Sequence, residues 1–256
     1  MEITNSTYFS EKAQMDYFGA SQIKSFIQCE NKALAEIKGE YKRPYSKALT
    51  MGSYVDAWFS GEMDEFQELH PEIFKKDGSL RADYEKCNQI IERAKQDPLF
   101  MEYMSGDPQK IMTGELFGYP FKIKMDSYHE DQIIVDLKVM ASLLPVYKDG
   151  EWKTFVDAWG YDIQAYIYQQ VVKYNTGKEL PFYLAVLTKE DATDLEIIHL
   201  PQWKINSAEA IVKHYVKEFD DVKRGKREPK RCGKCDWCRA TKVLAEPIDY
   251  EDLLVG

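Results

Sequence analysis

Three residues in the middle of the chain, Asp126, Asp136 and Lys138, have the types and spacing of a divalent-metal centre for phosphoryl chemistry. Two carboxylates held close repel each other, and a hard cation such as Mg²⁺ or Mn²⁺ neutralises them through oxygen ligands. A lysine two residues after a ligand, on the same face of a strand, can orient a water and offset charge on a phosphorane. Asp-x-Lys is a common tripeptide, so its meaning depends on the elements around it.

Those elements are legible from periodicity. Phe121–Asp126 alternates apolar and polar residues, Gln132–Lys138 carries an Ile133-Ile134-Val135 run, and Ser127–Asp131 forms a polar turn between them, which predicts an antiparallel pair. Lys122, Lys124 and Asp126 share one face of the first strand; Asp136 and Lys138 share a face of the second. A third carboxylate, Asp56, interrupts the apolar helix predicted over Ala48–Phe59, where an unpaired charge costs free energy. Ser21–Cys29 is predicted as a helix with Ser21 as its N-cap, continued through Asn31–Ile37. A long helix is predicted over Phe155–Asn175, with Gln164 and Tyr168 four apart on one face. Two more strands, Pro181–Thr188 and Leu195–Leu200, precede a helix over Ile205–Lys223. This order predicts an α/β (α+β) fold, a mixed central sheet flanked by helices. Residues 61–110 read as an acidic helical insertion without chemistry, in which His70 and Cys87 are structural.

The 256 residues, 44% of them apolar, suit a single domain with a sizeable core. No apolar run is long enough for a membrane span and no leader segment is evident, so a cytoplasmic protein with no membrane partner is expected. A net charge of −9 excludes indiscriminate coating of nucleic acid, but not a nuclease with local phosphate contacts. Candidates for such contacts are Lys122 and Lys124 on the first strand, and the basic run containing Lys223, Arg224 and Arg227.

Cys232, Cys235 and Cys238 follow a C-x2-C-x2-C spacing, which signals a soft metal. A fourth thiolate would come from Cys29 or Cys87. Three clustered thiolates with a distant fourth favour a 4Fe-4S cluster, with Zn²⁺ as the alternative.

Taken in order, these pieces resemble the RecB-like branch of the PD-(D/E)xK nucleases, especially phage recombination exonucleases and cluster-containing CRISPR-associated exonucleases. The resemblance spans about Ser21 to Arg239. It is carried by S-x-x-x-S-F-x-x-C at Ser21–Cys29, G-x-x-x-D at Gly52–Asp56, then Asp126, D-x-K at Asp136–Lys138, Q-x-x-x-Y at Gln164–Tyr168, and the terminal cysteines. It implies a metal-dependent DNA exonuclease, with Asp56, Asp126, Asp136 and the Leu137 carbonyl as ligands and Lys138 activating water. Gln164 and Tyr168 would support the site or contact the DNA end. Cys29 becomes the fourth cysteine ligand of a clasp over 229–241. Linear DNA would be the substrate, and a single-strand annealing protein the partner in phage-type recombination or repair. The chain departs from the family at Asp56, where histidine is usual, at Glu30, where proline is common, and in its tighter cysteine spacing. The alternative reading is a catalytically inactive module that binds DNA ends or a partner.

Overall fold

The computed structural model describes residues 3–251. After a short α1 (Glu11–Asp16), the predicted N-terminal helix is two helices, α2 (Ala20–Gln28) and α3 (Glu30–Ile37). They break at Cys29, whose backbone is extended at φ −166 and ψ 108, and Gly19 rather than Ser21 is the N-cap of α2. The break turns Cys29 out of the helical stripe that sequence periodicity assigned to it.

Ser46 caps α4 (Lys47–Ser60) by accepting from the Leu49 N–H. Three further helices follow, α5 (Met63–Leu69), α6 (Ala82–Lys95) and α7 (Pro98–Tyr103). The sheet then opens with β1 (Asp107–Leu116), which periodicity missed: it is an edge strand, mostly half-exposed, with no clean alternation. Phe117 and Gly118, at φ 57 and 81, make the tight turn into β2 (Tyr119–His129). β2 runs past the predicted turn at Ser127 and leads to β3 (Ile133–Met140).

A small hairpin, β4 (Val146–Lys148) and β5 (Glu151–Lys153), follows β3. The predicted long helix is α8 (Phe155–Trp159) and α9 (Tyr161–Thr176), divided at Gly160, whose φ of 62 ends one helix and redirects the next. The chain finishes with β6 (Phe182–Thr188), β7 (Leu195–Leu200), α10 (Gln202–Asn206), α11 (Glu209–Lys223) and α12 (Asp236–Ala240).

The five-stranded sheet has the order β1-β2-β3-β6-β7, with β3 and β6 parallel and the other neighbours antiparallel. Both faces are buried. Phe182, Leu184 and Val186 pack with α2, α9 and α11 on one side, while Ala185 and Leu187 pack with α4, α6 and α7 on the other. This is the mixed, helix-flanked α/β sheet that the order of elements predicts. Among the described residues, no helix is long and apolar enough to cross a membrane.

Candidate active site

The site begins where a β-ladder stops. β2 and β3 pair through Ser127↔Val135, Tyr128↔Ile134 and His129↔Ile133. The next rung would set Asp126 against Asp136, but β3 instead continues alongside β6, pairing Asp136↔Leu184 and Lys138↔Val186. The Leu137 N–H, released from β2, donates to Asp126 Oδ2 at 2.7 Å. A side chain thus replaces the missing backbone acceptor, and the fork holds two carboxylates near each other.

Asp136 is only 2% exposed. Its Oδ1 accepts from Gln164 Nε2 of α9 at 2.6 Å, and its Oδ2 forms an ion pair with the Lys138 ammonium. That contact satisfies charge but not hydrogen-bond geometry, since Oδ2 has no hydrogen-bond partner. Lys138 also donates to the Leu137 carbonyl at 3.2 Å. Tyr168, one turn after Gln164, donates to the Lys124 carbonyl at 2.9 Å and so ties α9 to β2 just before Asp126. Both α9 residues therefore position the carboxylate strands.

Asp56 approaches from α4 and accepts from Gln109 Nε2 at 3.1 Å. Gln109 lies in β1 at the position across from Asp126, where the register skips a pair, and its φ is 52. A left-handed non-glycine backbone inside a strand costs about 1–3 kcal/mol, and such strain gathers where side chains must be aimed. Gln109 Oε1 is buried without a partner. Periodicity could not find Gln109, because its strand lacks alternation.

The electrostatics are those of an anionic site short of positive charge. Burial, with the Asp136 and Asp56 charges adding, pushes the Asp126 carboxyl well above its ordinary range. Burial also pushes Asp56 up to about 6; Lys124 opposes this and Asp136 reinforces it. Burial works against the Lys138 ammonium, but Asp136 and Asp126 outweigh it and keep Lys138 firmly protonated. Hard oxygen donors and mutual repulsion between the buried carboxylates fit a divalent cation. The carboxylate oxygens are not drawn into one tight group, since each is held by its own protein donor.

Folded protein without metal retains a proton on Asp56 between its ordinary 3.8 and about 6, where the unfolded chain has lost it. Stability therefore falls as pH rises through that window. Asp56→Asn keeps the acceptor for Gln109 and is expected to stabilise the metal-free protein at about pH 8 by roughly 1–3 kcal/mol. At about pH 4 the gain should vanish. Thermal melts at the two pH values check this, and an equal gain at both would contradict it.

The basic candidates differ in burial. Lys122 is 2% exposed and donates to the Tyr8 carbonyl. Lys223 is 5% exposed and donates to the Tyr17 carbonyl at 2.9 Å and to Gln22 Oε1 at 3.3 Å. Arg224 pairs with Asp220 at 2.9 Å, and Arg227 pairs with Glu30 at 2.8 Å. Lys122 and Lys223 are thus buried on internal acceptors, whereas Arg224 pairs with its carboxylate from an exposed position and Arg227 from a half-buried one. A charge run says nothing about which acceptors the fold will pack against it. Lys124, half-buried near Asp56, remains beside the site.

At the C-terminal end, Cys29 meets Cys232, Cys235 and Cys238, and their sulfurs all lie within 4.8 Å of one another. Cys29 Sγ is 3.5 Å from Cys238 Sγ and 3.7 Å from Cys235 Sγ, and Cys232 Sγ is 4.0 Å from Cys238 Sγ. Cys87 lies apart, buried against the Met51 carbonyl. The four-cysteine group can bind a metal. One tetrahedral ion with bonds of about 2.3 Å holds its sulfurs about 3.8 Å apart. A 4Fe-4S cubane puts each thiolate on a different iron and spreads them to about 6 Å. The sulfur spacing is closer to that of a single tetrahedral ion than to that of a cubane.

A sheet that forks at paired acidic residues, with Asp-x-Lys on its central strand and Gln-x-x-x-Tyr on the crossover helix, defines a PD-(D/E)xK nuclease-like fold. The family described as "PDDEXK-like domain of unknown function (DUF3799)" matches residues 19–241, and the chain belongs to it. The chain is also similar to a solved structure from Eubacterium rectale named "Putative exonuclease". The two are 42% identical, with a TM-score of 0.96, over 100% of this chain and 99% of that one. No curated protein matches the chain. Family and structural likeness together support a nuclease.

Proposed function

We propose that this chain is a Mg²⁺- or Mn²⁺-dependent deoxyribonuclease that hydrolyses phosphodiester bonds from the ends of linear DNA. The observation carrying this reading is the fork at Asp126 and Asp136, with Lys138 paired to the buried carboxylate. In this reading Asp56, Asp126, Asp136 and the Leu137 carbonyl hold the cation, which supplies charge neutralisation at the phosphate. Gln164 fixes the rotamer of Asp136 through its 2.6 Å hydrogen bond, and Gln109 does the same for Asp56. Lys138 orients the attacking water and offsets charge at the phosphorus. The water gives up a proton as its oxygen bonds to phosphorus, the phosphorus–oxygen bond to the leaving nucleotide breaks, and the leaving oxygen takes up a proton from solvent, so protons balance.

The end preference rests on the name of the Eubacterium rectale protein and on the family resemblance; resected strands would suit a single-strand annealing partner. The deciding experiment incubates end-labelled linear DNA and closed circular DNA with the protein in Mg²⁺, in Mn²⁺ and in chelator. Stepwise loss from the ends of linear DNA, with the circle intact and no reaction in chelator, is expected. Cutting of the circle would replace the exonuclease reading with an endonuclease. Binding without cleavage in either metal would leave an inactive end-binding module.

The sulfur spacing further supports one Zn²⁺ at Cys29, Cys232, Cys235 and Cys238. Elemental analysis of anaerobically purified protein should find about one zinc and no stoichiometric iron or sulfide. A brown protein with several irons per chain would restore the cluster.

A further inference from the structure

Beside the carboxylate fork stands a cation, Lys24, that has no ion-pair partner among the described residues. Lys24 lies on α2, whose Ile23 and Phe26 enter the core, while Lys24 itself is half-buried and directed at the start of α9. Its stem packs on Gly160; a Cβ there would meet Lys24 Cδ at 3.2 Å. Its ammonium lies 5.1 Å from the centre of the Tyr161 ring, and the Lys138 ammonium lies 5.1 Å from the same ring. Among the described residues Lys24 has no hydrogen bond and no carboxylate at ion-pair distance. The nearby acids are taken: Asp136 by Lys138 and Gln164, and Asp162 by Lys204.

Two ammonium groups sharing one aromatic ring repel each other, and the field at Lys24 reflects this. Burial, then the charges of Lys138 and Lys148, lower its pKa to about 8, with Asp136 and Asp162 opposing. The sixteen-residue α9 adds the positive end of its dipole at Tyr161, without a side-chain N-cap. A half-buried cation that rests on an aromatic ring and a glycine, faces like charge and lacks an ion-pair partner gains one when an anion arrives.

We propose that Lys24 is a substrate-binding residue: it takes a non-bridging oxygen of a substrate-strand phosphate at the carboxylate fork. The assignment deepens the nuclease reading and rests on it. Lys138, paired with Asp136, serves the attacking water and the phosphorus, and Lys24 supplies a further positive charge that receives the incoming phosphodiester. Tyr161 keeps the two ammonium groups on separate tasks.

The test uses Lys24→Met and Lys24→Arg in the full chain, with cleavage of a linear duplex followed in the active divalent metal over a range of salt concentrations. Loss of one phosphate contact should raise KM about tenfold with a smaller change in kcat, and should flatten the salt dependence of log KM by about 0.9. Lys24→Arg should restore the salt slope. A structural role would lower the melting temperature and leave that slope alone, so melts of both variants accompany the kinetics. Wild-type cleavage with an unchanged slope in Lys24→Met overturns the assignment and leaves the nuclease standing. Absence of cleavage by the wild-type protein in any divalent metal removes both.

Discussion

Asp136→Asn is expected to slow cleavage of linear DNA by about 10³-fold or more while the protein remains folded. Asparagine preserves the shape and the Oδ1 acceptor for Gln164, so the 2.6 Å link between α9 and β3 survives. Two things are lost: a hard anionic ligand at the fork, and the charge that holds the Lys138 ammonium in place. The effect should appear in kcat, because both losses act on groups that meet the reacting phosphate. Lys138→Ala should cost a similar factor in rate and also some stability, since it leaves Asp136 charged, 2% exposed and without its counter-ion. Single-turnover assays with melts of each variant distinguish these effects. Activity within tenfold of wild type in either variant would remove the fork from the chemistry.

Stripping metal from the cysteine site should produce the largest loss of stability, a fall in melting temperature of about 10 °C or more. The segment carrying Cys232, Cys235 and Cys238 has few other attachments to the body. Asn31 N–H donates to the Lys230 carbonyl at 3.1 Å, Glu30 accepts from Lys230 N–H at 2.7 Å, and Lys32 pairs with Asp236 at 2.7 Å. These lie on α3 or at its start, the helix that begins beside Cys29, and Tyr41 just beyond it adds a hydrogen bond to Asp236 and a ring contact with Trp237, so losing the ion loosens both sides of the clasp together. Burial opposes the Cys232 thiolate, but the backbone N–H groups of Cys235 and Lys234 outweigh it and bring its pKa down to about 6. Protons should therefore compete with the ion as the solution is acidified through that value. Cys238→Ser should reproduce the loss in the presence of zinc. Hydrogen exchange should rise at 229–241 and in α3 while the sheet stays protected. An unchanged melting temperature in chelator, with metal loss verified by elemental analysis, would rule out a structural ion.

Much of this arrangement was legible from residue order. Val135, Leu137 and their alternating neighbours announced β3, and Leu184 and Val186 announced β6, because buried parallel strands carry dense apolar runs. The breaks were less visible. Cys29 and Gly160 divide what periodicity reads as continuous helices, through an extended backbone at one and a left-handed φ at the other. β1 escaped notice because an edge strand need not alternate.

Residue types and spacing by themselves determined the class of chemistry: hard oxygen donors with a lysine for phosphoryl transfer, clustered thiolates for a soft metal, and helices around a mixed sheet. Side-chain chemistry and local periodicity are properties of the chain, and they survive without coordinates. Only the tertiary structure decided which charges are free. It buries Lys122 and Lys223 on backbone carbonyls, pairs Arg224 with Asp220 and Arg227 with Glu30, leaves Lys24 without an ion-pair partner among the described residues, aims Gln109 at Asp56, and brings Cys29 to its three distant partners. The physical reason is that an ion pair or a ligand set depends on distances of a few ångströms between elements far apart in sequence, and packing alone sets those distances.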